Sequence, residues 1–472
     1  MASNTTSATA PALRQVLTGA LVGTFVEWFD FALFAYTVPV FAVVFFGTNN
    51  ISVSLLYTFG VVYGVPFIFR PIGGVLWGHL GDRVGRRTTL AIIVSLMGVA
   101  SALVAAVPTK AVIGIAAPLL IIILRSVQAF CASGEAIGAA AFLMEHTDPK
   151  RRGLLLGILN SFTVIPSACA ALLVVGLTTT IGTDAFASWG WRMLFVLGGA
   201  CAAIGLYIRR RLPETEAFER VAEAGVKRKS PALTALREYP RGMIGVFGMI
   251  GITGLAYYML TGFLSAYLSE GLHLSRTAAL LSNGAAVLVV GVLGVVFGAL
   301  SDRIGRRRPM ILTGVAILAV VGIPAFQLAS NFGWQGALGG QLLIALGIAV
   351  TWSGGVPFMQ ESFPTRVRYS GAAVSYNMAY AILGGTAPLI SQYLVNSTKV
   401  ATAPGYYLSI IAILAFVLLV MTARETAGAD LLQAGDQGEL NSSHRHLTAS
   451  RTASGAPAPE SPATQNEITG SS

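Results

Sequence analysis

Between Val16 and Phe46 the only charged side chains are Glu27 and Asp30, both within GTFVEWFDF at 23–31. About 20 apolar residues suffice for a helix to cross a bilayer, and runs of that length recur, with short polar breaks, down to residue 422. The pattern predicts about twelve spanning helices, near 15–46, 54–80, 88–107, 112–141, 153–179, 190–208, 242–269, 278–300, 309–329, 335–360, 369–395 and 405–422. Pro66, Pro166 and Pro388 fall inside these runs, where neighbouring helices re-satisfy the backbone groups that proline frees. The longest internal polar stretch, Arg209 to Arg241, divides the spans six and six, and a surface helix is predicted around Pro213 to Ala224. Beyond Arg424 the chain is polar and rich in Ser, Thr, Ala and Pro, which reads as a disordered tail. The organisation expected is a segment 1–14, a six-helix lobe 15–208, a connecting loop 209–241, a second six-helix lobe 242–422 and a tail 423–472. This is an all-α membrane protein.

Composition supports that reading: 54% of residues are hydrophobic and 11% charged, where a soluble domain carries about 25% charged residues. The net charge of +10 would suit a nucleic-acid binder, but the basic residues cluster in alternate breaks. Arg83, Arg86 and Arg87; Lys150 to Arg152; Arg209 to Arg211; Arg303 and Arg306 to Arg308; Arg366 and Arg368 all fall there. That alternation is the positive-inside rule, which places these loops and both termini in the cytoplasm. No nucleic-acid partner is expected; the lipid bilayer is. The first apolar run is too long for a signal-peptide core and is expected to remain as span one. Cys131, Cys169 and Cys201 lie within predicted spans without metal-ligand spacing and read as packing residues. His444 and His446 lie in the tail, and no metal site is expected.

An acid near the bilayer centre costs about 2.5–3.5 kcal/mol on the insertion scale, so Glu27 and Asp30 must face protein or water. Three residues apart on a helix, they differ by roughly 60° and share a face. Span four offers Arg125, Gln128, Ala132 and Glu135 along one stripe about 80° wide. Opposed buried charges of this kind suit proton coupling, because an acid stays ionised beside Arg and takes a proton when that partner is withdrawn. Glu27, Asp30, Arg125 and Glu135 are therefore the coupling candidates, with a purely structural salt bridge between spans one and four as the alternative. Glu135 lies in SGEAIGA, where small residues permit close helix approach and a structural role. Arg70 and Arg192, near span ends, read as mainly structural, since long basic side chains snorkel to the interface; Arg70 could also hold a carboxylate. His79 reads as interfacial.

Aromatic residues form a second set. Trp28, Phe29, Phe31, Phe34 and Tyr36 line span one, Tyr257, Tyr258, Phe263 and Tyr267 line span seven, and Trp352, Tyr376 and Tyr380 follow later. Of these, Trp28, Phe31, Tyr36, Tyr257, Tyr258 and Tyr376 are the candidate cage, and a quaternary ammonium in such a cage gains about 2 kcal/mol or more when desolvated. Belt and packing roles are the alternative. Arg125, Gln128 and Asn377 complete the candidate substrate contacts as hydrogen-bond partners for a carboxylate. No phosphate loop, H-E-x-x-H or G-x-S-x-G motif is present, and no filter segment. ATP hydrolysis, hydrolase chemistry and channel conduction therefore lack support; no enzyme activity and no cofactor beyond the proton is expected.

The stretch GHLGDRVGRRTT at 78–89 returns as GALSDRIGRRRP at 298–309, each after the second span of its half. Such a self-repeat indicates two related halves. It resembles the loop signature of the major facilitator superfamily. That resemblance implies the major facilitator fold, about twelve transmembrane helices in two six-helix lobes, docked by these loops in the outward-facing state. Asp82 and Asp302 would then pair with Arg or helix N-termini, and Arg83, Arg86 and Arg87 would grip the facing helix. Arg303, Arg306 and Arg307 would belong to the second copy, and Glu361 in ESFPTRVR, beside Gln360, to the gate.

VEWFDF, RPIGG at 70–74, RSVQAFCASGEAIGAA at 125–140, WGWRMLFVLGG at 189–199 and ESFPTRVRYSG at 361–371 are together similar to the metabolite:proton symporters of that superfamily. YYMLTGFLSAYLSEGLHLS at 257–275 and the stretch 403–428 are most like the proline/betaine osmoprotectant type. The tail lacks the apolar heptads of its osmosensing members. The resemblance implies a proton symporter importing a small zwitterion such as proline or glycine betaine by alternating access. It would act as a monomer in a bacterial-type inner membrane. A mono- or dicarboxylate such as α-ketoglutarate, citrate or shikimate is the alternative cargo, and drug/proton antiport a more distant one.

Overall fold

The computed structural model describes residues 10–47, 61, 64–223, 230–264, 267–268, 272 and 274–429. Among them the regular structure is helical: α1 Ala10–Val44, α2 Val65–Val84, α3 Arg86–Ala106 and α4 Ala116–Glu145. Then come α5 Pro149–Ile181 and α6 Thr183–Arg210. Two short helices, α7 Glu216–Glu223 and α8 Pro231–Glu238, lie in the connecting segment. The second half holds α9 Pro240–Phe263, α10 Arg276–Ile304, α11 Arg308–Asn331, α12 Gly333–Glu361, α13 Arg368–Thr398 and α14 Ala403–Thr422. Eleven of the described helices are long and apolar enough to cross a membrane. The expected span 54–80 is described only in part, as Val61, Gly64 and α2. The tail, with His444 and His446, lies outside the described residues. The predicted surface helix is shorter than expected, and α8 was not anticipated.

Each half packs mainly on itself: α1, α3, α4 and α6 in the first, and α9 to α14 in the second. Two seams join them, α2 against α13 and α5 against α10. Small residues make the seams possible. A Cβ on Gly74 would approach Asn377 Nδ2 to 2.7 Å, and one on Gly157 would approach the Gly294 carbonyl oxygen to 2.8 Å. Without side chains at these points the backbones come together, as small-residue helix interfaces do in membranes.

Several spans contain a π-helical turn, among them Phe186–Gly190 in α6, Met259–Phe263 in α9 and Tyr380–Gly384 in α13. A π turn displaces a carbonyl from the regular ladder. Asn283 on α10 donates to the Leu260 carbonyl at 2.5 Å and to Gln341 Oε1 at 3.1 Å. Gln341 in turn donates to Ser282 Oγ at 2.8 Å. The second lobe thus supports its irregular span with a chain of polar side chains, since backbone groups freed inside a membrane helix are re-satisfied by neighbouring protein groups.

Candidate substrate and coupling site

Glu27 and Asp30 lie one turn apart on α1, yet each meets its own arginine. Asp30 Oδ1 accepts from Gln128 Nε2 at 2.8 Å, and its Oδ2 lies 3.6 Å from Arg125 Nη1. All three side chains are buried. The Arg125 guanidinium sits 5.1 Å from the Phe31 ring centre and 4.6 Å from that of Phe34. Arg125 and Gln128 are adjacent on one turn of α4, so a single helix face delivers both charge and hydrogen bond. Protonating this carboxylate removes the attraction that holds Arg125, which makes the pair a two-state element.

Glu27 turns to α2 instead. Its Oε1 is 3.6 Å from Arg70 Nη2, and its Oε2 has no hydrogen-bond partner among the described residues. Arg70 lies 5.6 Å from the ring centre of Tyr380 across the seam. Tyr380 stacks on Tyr376 at 4.4 Å and meets Tyr258 edge-on at 5.8 Å. Tyr258 also touches Phe67 of α2 at 5.4 Å, while Tyr257 packs against Trp352 at 5.3 Å. An acid and an arginine of the first lobe therefore face an aromatic wall built by α9 and α13 of the second. The π turns begin at the residue after Tyr258 and at Tyr380 itself.

Glu135 belongs to neither group. Arg209, near the end of α6, donates Nη1 to Glu135 Oε2 at 2.8 Å, and its Nη2 bonds the other oxygen. Arg209 also donates to the Leu90 carbonyl at 3.0 Å and to that of Gly19 at 3.4 Å. A Cβ on Gly23 would collide with both side chains. This bidentate pair ties α1, α3, α4 and α6 together.

The basic end carries a third constellation, repeated in both halves. Asp82 accepts from the backbone N–H groups of Tyr369 at 3.2 Å and Ser370 at 2.8 Å, capping α13 of the other lobe. Asp302 accepts from Gly153 and Leu154, each at 2.8 Å, within the first turns of α5. A carboxylate at a helix N-terminus satisfies unpaired donors and meets the positive end of the helix dipole. Glu145, ending α4, takes Arg86 at 3.3 Å and, from the other lobe, Arg368 at 2.7 Å. Glu361, ending α12, takes Arg307 at 3.5 Å and, from the other lobe, Arg152 at 3.3 Å. Thr215 donates to Glu145 and Thr426 to Glu361, at 2.6 and 2.9 Å. Glu214 caps α3 through the Arg86 and Arg87 N–H groups, and Glu425 caps α11 through those of Arg307 and Arg308.

The sequence matches the profile of the Major Facilitator Superfamily over residues 20–374 and again over 246–459. The chain belongs to the major facilitator superfamily. It is a membrane-spanning transporter and not an enzyme. The proline/betaine transporter of Escherichia coli is 32% identical over 433 residues, 89% of this chain and 85% of that protein. The glycine betaine/proline/ectoine/pipecolic acid transporter OusA of Dickeya dadantii is 31% identical with the same coverage of each chain. Among solved structures, the proton:xylose symporter XylE bound to 6-bromo-6-deoxy-D-glucose shares the fold with a TM-score of 0.70 at 19% identity, over 90% of this chain and 99% of that one. The inward open form of XylE from E. coli gives 0.58 at 18% identity, over 89% and 99% of the two chains.

Within the superfamily fold, several expected placements change. The single stripe on span four is split, because α1 is rotated so that only Asp30 meets α4's arginine, and Glu135 is taken by Arg209. Arg70, read as mainly structural or as a carboxylate holder, pairs with Glu27 beside the aromatic wall. Arg192 does serve structure, donating to the Val107 carbonyl at 2.8 Å beyond the end of α3. Tyr36 is 44% exposed and lies about 180° round α1 from Glu27, outside both pairs. Trp28 meets Phe31 edge-on at 6.1 Å. Asn377 spends its amide on the seam, donating to Ser133 O at 2.9 Å and Ala373 O at 2.8 Å.

Of the loop arginines, Arg86 reaches across, donating to the Thr365 carbonyl at 2.6 Å. Arg83 is exposed against His79, and Arg87 bonds the Arg210 carbonyl of its own lobe, so neither grips the facing helix. Arg303 and Arg306 are exposed, whereas Arg307 is buried and bonds Asp302 at 2.8 Å. Gln360 donates across the seam to the Ile137 carbonyl at 3.2 Å. Sequence reasoning missed Glu145, Arg152, Arg209, Glu214, Arg368 and Glu425 as partners. The recurrence of Glu-Thr at 214–215 and 425–426, after the last span of each half, was the available signal.

Proposed function

We propose that this transporter imports a small zwitterion of the proline or glycine betaine kind together with protons, by alternating access across a bacterial-type plasma membrane. The names of its relatives support the substrate class. The observation that carries the mechanism is the buried pairing of Glu27 with Arg70, beside the aromatic wall of the second lobe, and of Asp30 with Arg125 one helical turn along α1.

In this reading the basic end is cytoplasmic, and its two cross-lobe caps hold that side closed while the opposite side admits substrate. Asp30 is the proton carrier. Its protonation releases Arg125, and Gln128 keeps the carboxyl in place while the pair is open. Substrate binds between α1 and α2 on one side and α9 and α13 on the other. Opening inward requires Asp82 and Asp302 to leave their helix N-termini, exposing the site by a rocking of one lobe against the other. Arg70 and Arg125 would also suit a mono- or dicarboxylate, which is the competing cargo.

The test is purified protein in liposomes loaded with a pH-sensitive dye. Adding proline or betaine outside should acidify the lumen. Acidification by citrate, α-ketoglutarate or shikimate in place of the zwitterions would move the assignment to carboxylates, and substrate-driven alkalinisation would make the protein an antiporter.

A further inference from the structure

The Glu27–Arg70 pair is built differently from its neighbours. Asp30 has the Gln128 amide at 2.8 Å, and Glu135 has both oxygens bonded by Arg209. Glu27, 5% exposed, has its nearer oxygen 3.6 Å from Arg70 and its other oxygen without a hydrogen-bond partner among the described residues. Buried carboxylate oxygens are almost always bonded, so one left open asks for an explanation. Beside it, Arg70 is the cation that rests against the tyrosine wall, 5.6 Å from the Tyr380 ring centre. The wall thus holds a positive charge of the protein's own, next to an acid with one oxygen unbonded among the described residues.

We propose that the zwitterionic substrate opens this pair, its carboxylate taking Arg70 and its ammonium lying between Glu27 and the rings of Tyr258, Tyr376 and Tyr380. The inference rests on the zwitterion reading above and deepens it, because it makes Arg70 a specificity-determining residue with two effects. The guanidinium offers a carboxylate two parallel donors, the geometry that binds it best. The same charge repels a cation that brings no carboxylate, since it stands at the wall where such a cation would otherwise gain its cation–π attraction. A carboxylate without an ammonium fares poorly for the opposite reason, because it leaves Glu27 facing a second anion.

Glycine betaine and choline form a matched pair: both carry a trimethylammonium, and only betaine carries a carboxylate. Titration calorimetry on the purified full chain should find betaine bound and choline excluded. Arg70→Gln should weaken betaine by about tenfold or more and bring the betaine-to-choline ratio toward one. Arg70→Lys, which keeps the charge without the fork, should still exclude choline. A melting temperature close to wild type for each variant separates this from loss of fold. Wild-type protein that binds neither betaine nor proline would overturn the zwitterion reading and this inference with it. Wild-type protein that binds betaine, with an unchanged betaine-to-choline ratio in Arg70→Gln, would overturn the exchange at Arg70 alone.

Discussion

Two acids one helical turn apart, with the same environment in the sequence, end in different chemistry because of what faces them. That acids within an apolar run need partners was legible from charge alone. Which partners they find was not, since the rotation of α1 against α2 and α4 leaves no periodic trace. Arg70 sits toward the end of its run, where snorkelling explained it equally well, and Arg209 was counted only among the basic residues of a break between spans. The aromatic wall was partly legible: Tyr258, Tyr376 and Tyr380 were all singled out, but their meeting with Arg70 was not foreseen, and Tyr36 lies half-exposed on another face of α1. Glu135 is the residue where geometry separates structure from coupling. Glu135→Gln strands the buried Arg209 charge, and breaking a buried pair from one side costs about 3–5 kcal/mol. The variant should melt well below wild type in detergent, while the fraction that folds should still move protons with substrate. Normal thermal stability with lost proton movement would place Glu135 in the coupling path instead.

At the scale of elements, the loops of the repeat matter less for their arginines than for their aspartates. Asp82 and Asp302 each cap a helix of the opposite lobe, which the repeated motif anticipated as one of two options. The one-residue offset between the copies, with Arg86 buried in the first and Arg307 in the second, could not be read from aligned letters. It follows from where α3 and α11 begin, and those starts are fixed by Glu214 and Glu425 from distant turns. Replacing a cap residue by Ala costs about 0.5–2 kcal/mol, so Asp82→Ala and Asp302→Ala should each shift the balance toward an open basic end, roughly two- to thirtyfold. Spin labels on Val84 and Ile304, exposed at the ends of α2 and α10, report this. A longer-distance population should grow in both variants, and an unchanged distribution would show that the caps do not hold the ends together. Gly81→Ala should act in the same direction, because an added Cβ would collide with the Tyr369 ring.

For the whole molecule, hydropathy and the internal repeat disclosed nearly everything about architecture, since spans and halves are written in composition and period. The packing of one lobe on the other was not disclosed, because glycines such as Gly157 and Gly294 carry no pattern that names their partner. Their proximity gives a direct handle on the cycle. One turn further along the same seam, a Cβ at Gly291 would lie 3.8 Å from that of Ser161, the spacing a disulfide needs. With Cys131, Cys169 and Cys201 replaced by Ser, the pair Ser161→Cys and Gly291→Cys should form a disulfide that stops transport, with recovery on reduction. Transport that continues in the cross-linked protein would mean that the α5–α10 seam does not have to part.

The most direct test of the central claim, that Asp30 carries the coupling proton beside Arg125, is paired transport in liposomes of the wild-type protein and Asp30→Asn. Labelled proline or betaine is followed first under an imposed inward proton gradient and then in counterflow without one. The account predicts that Asp30→Asn loses gradient-driven accumulation and keeps counterflow, because exchange needs the site but not the proton. Loss of both in equal measure, or accumulation that survives in the variant, would contradict it.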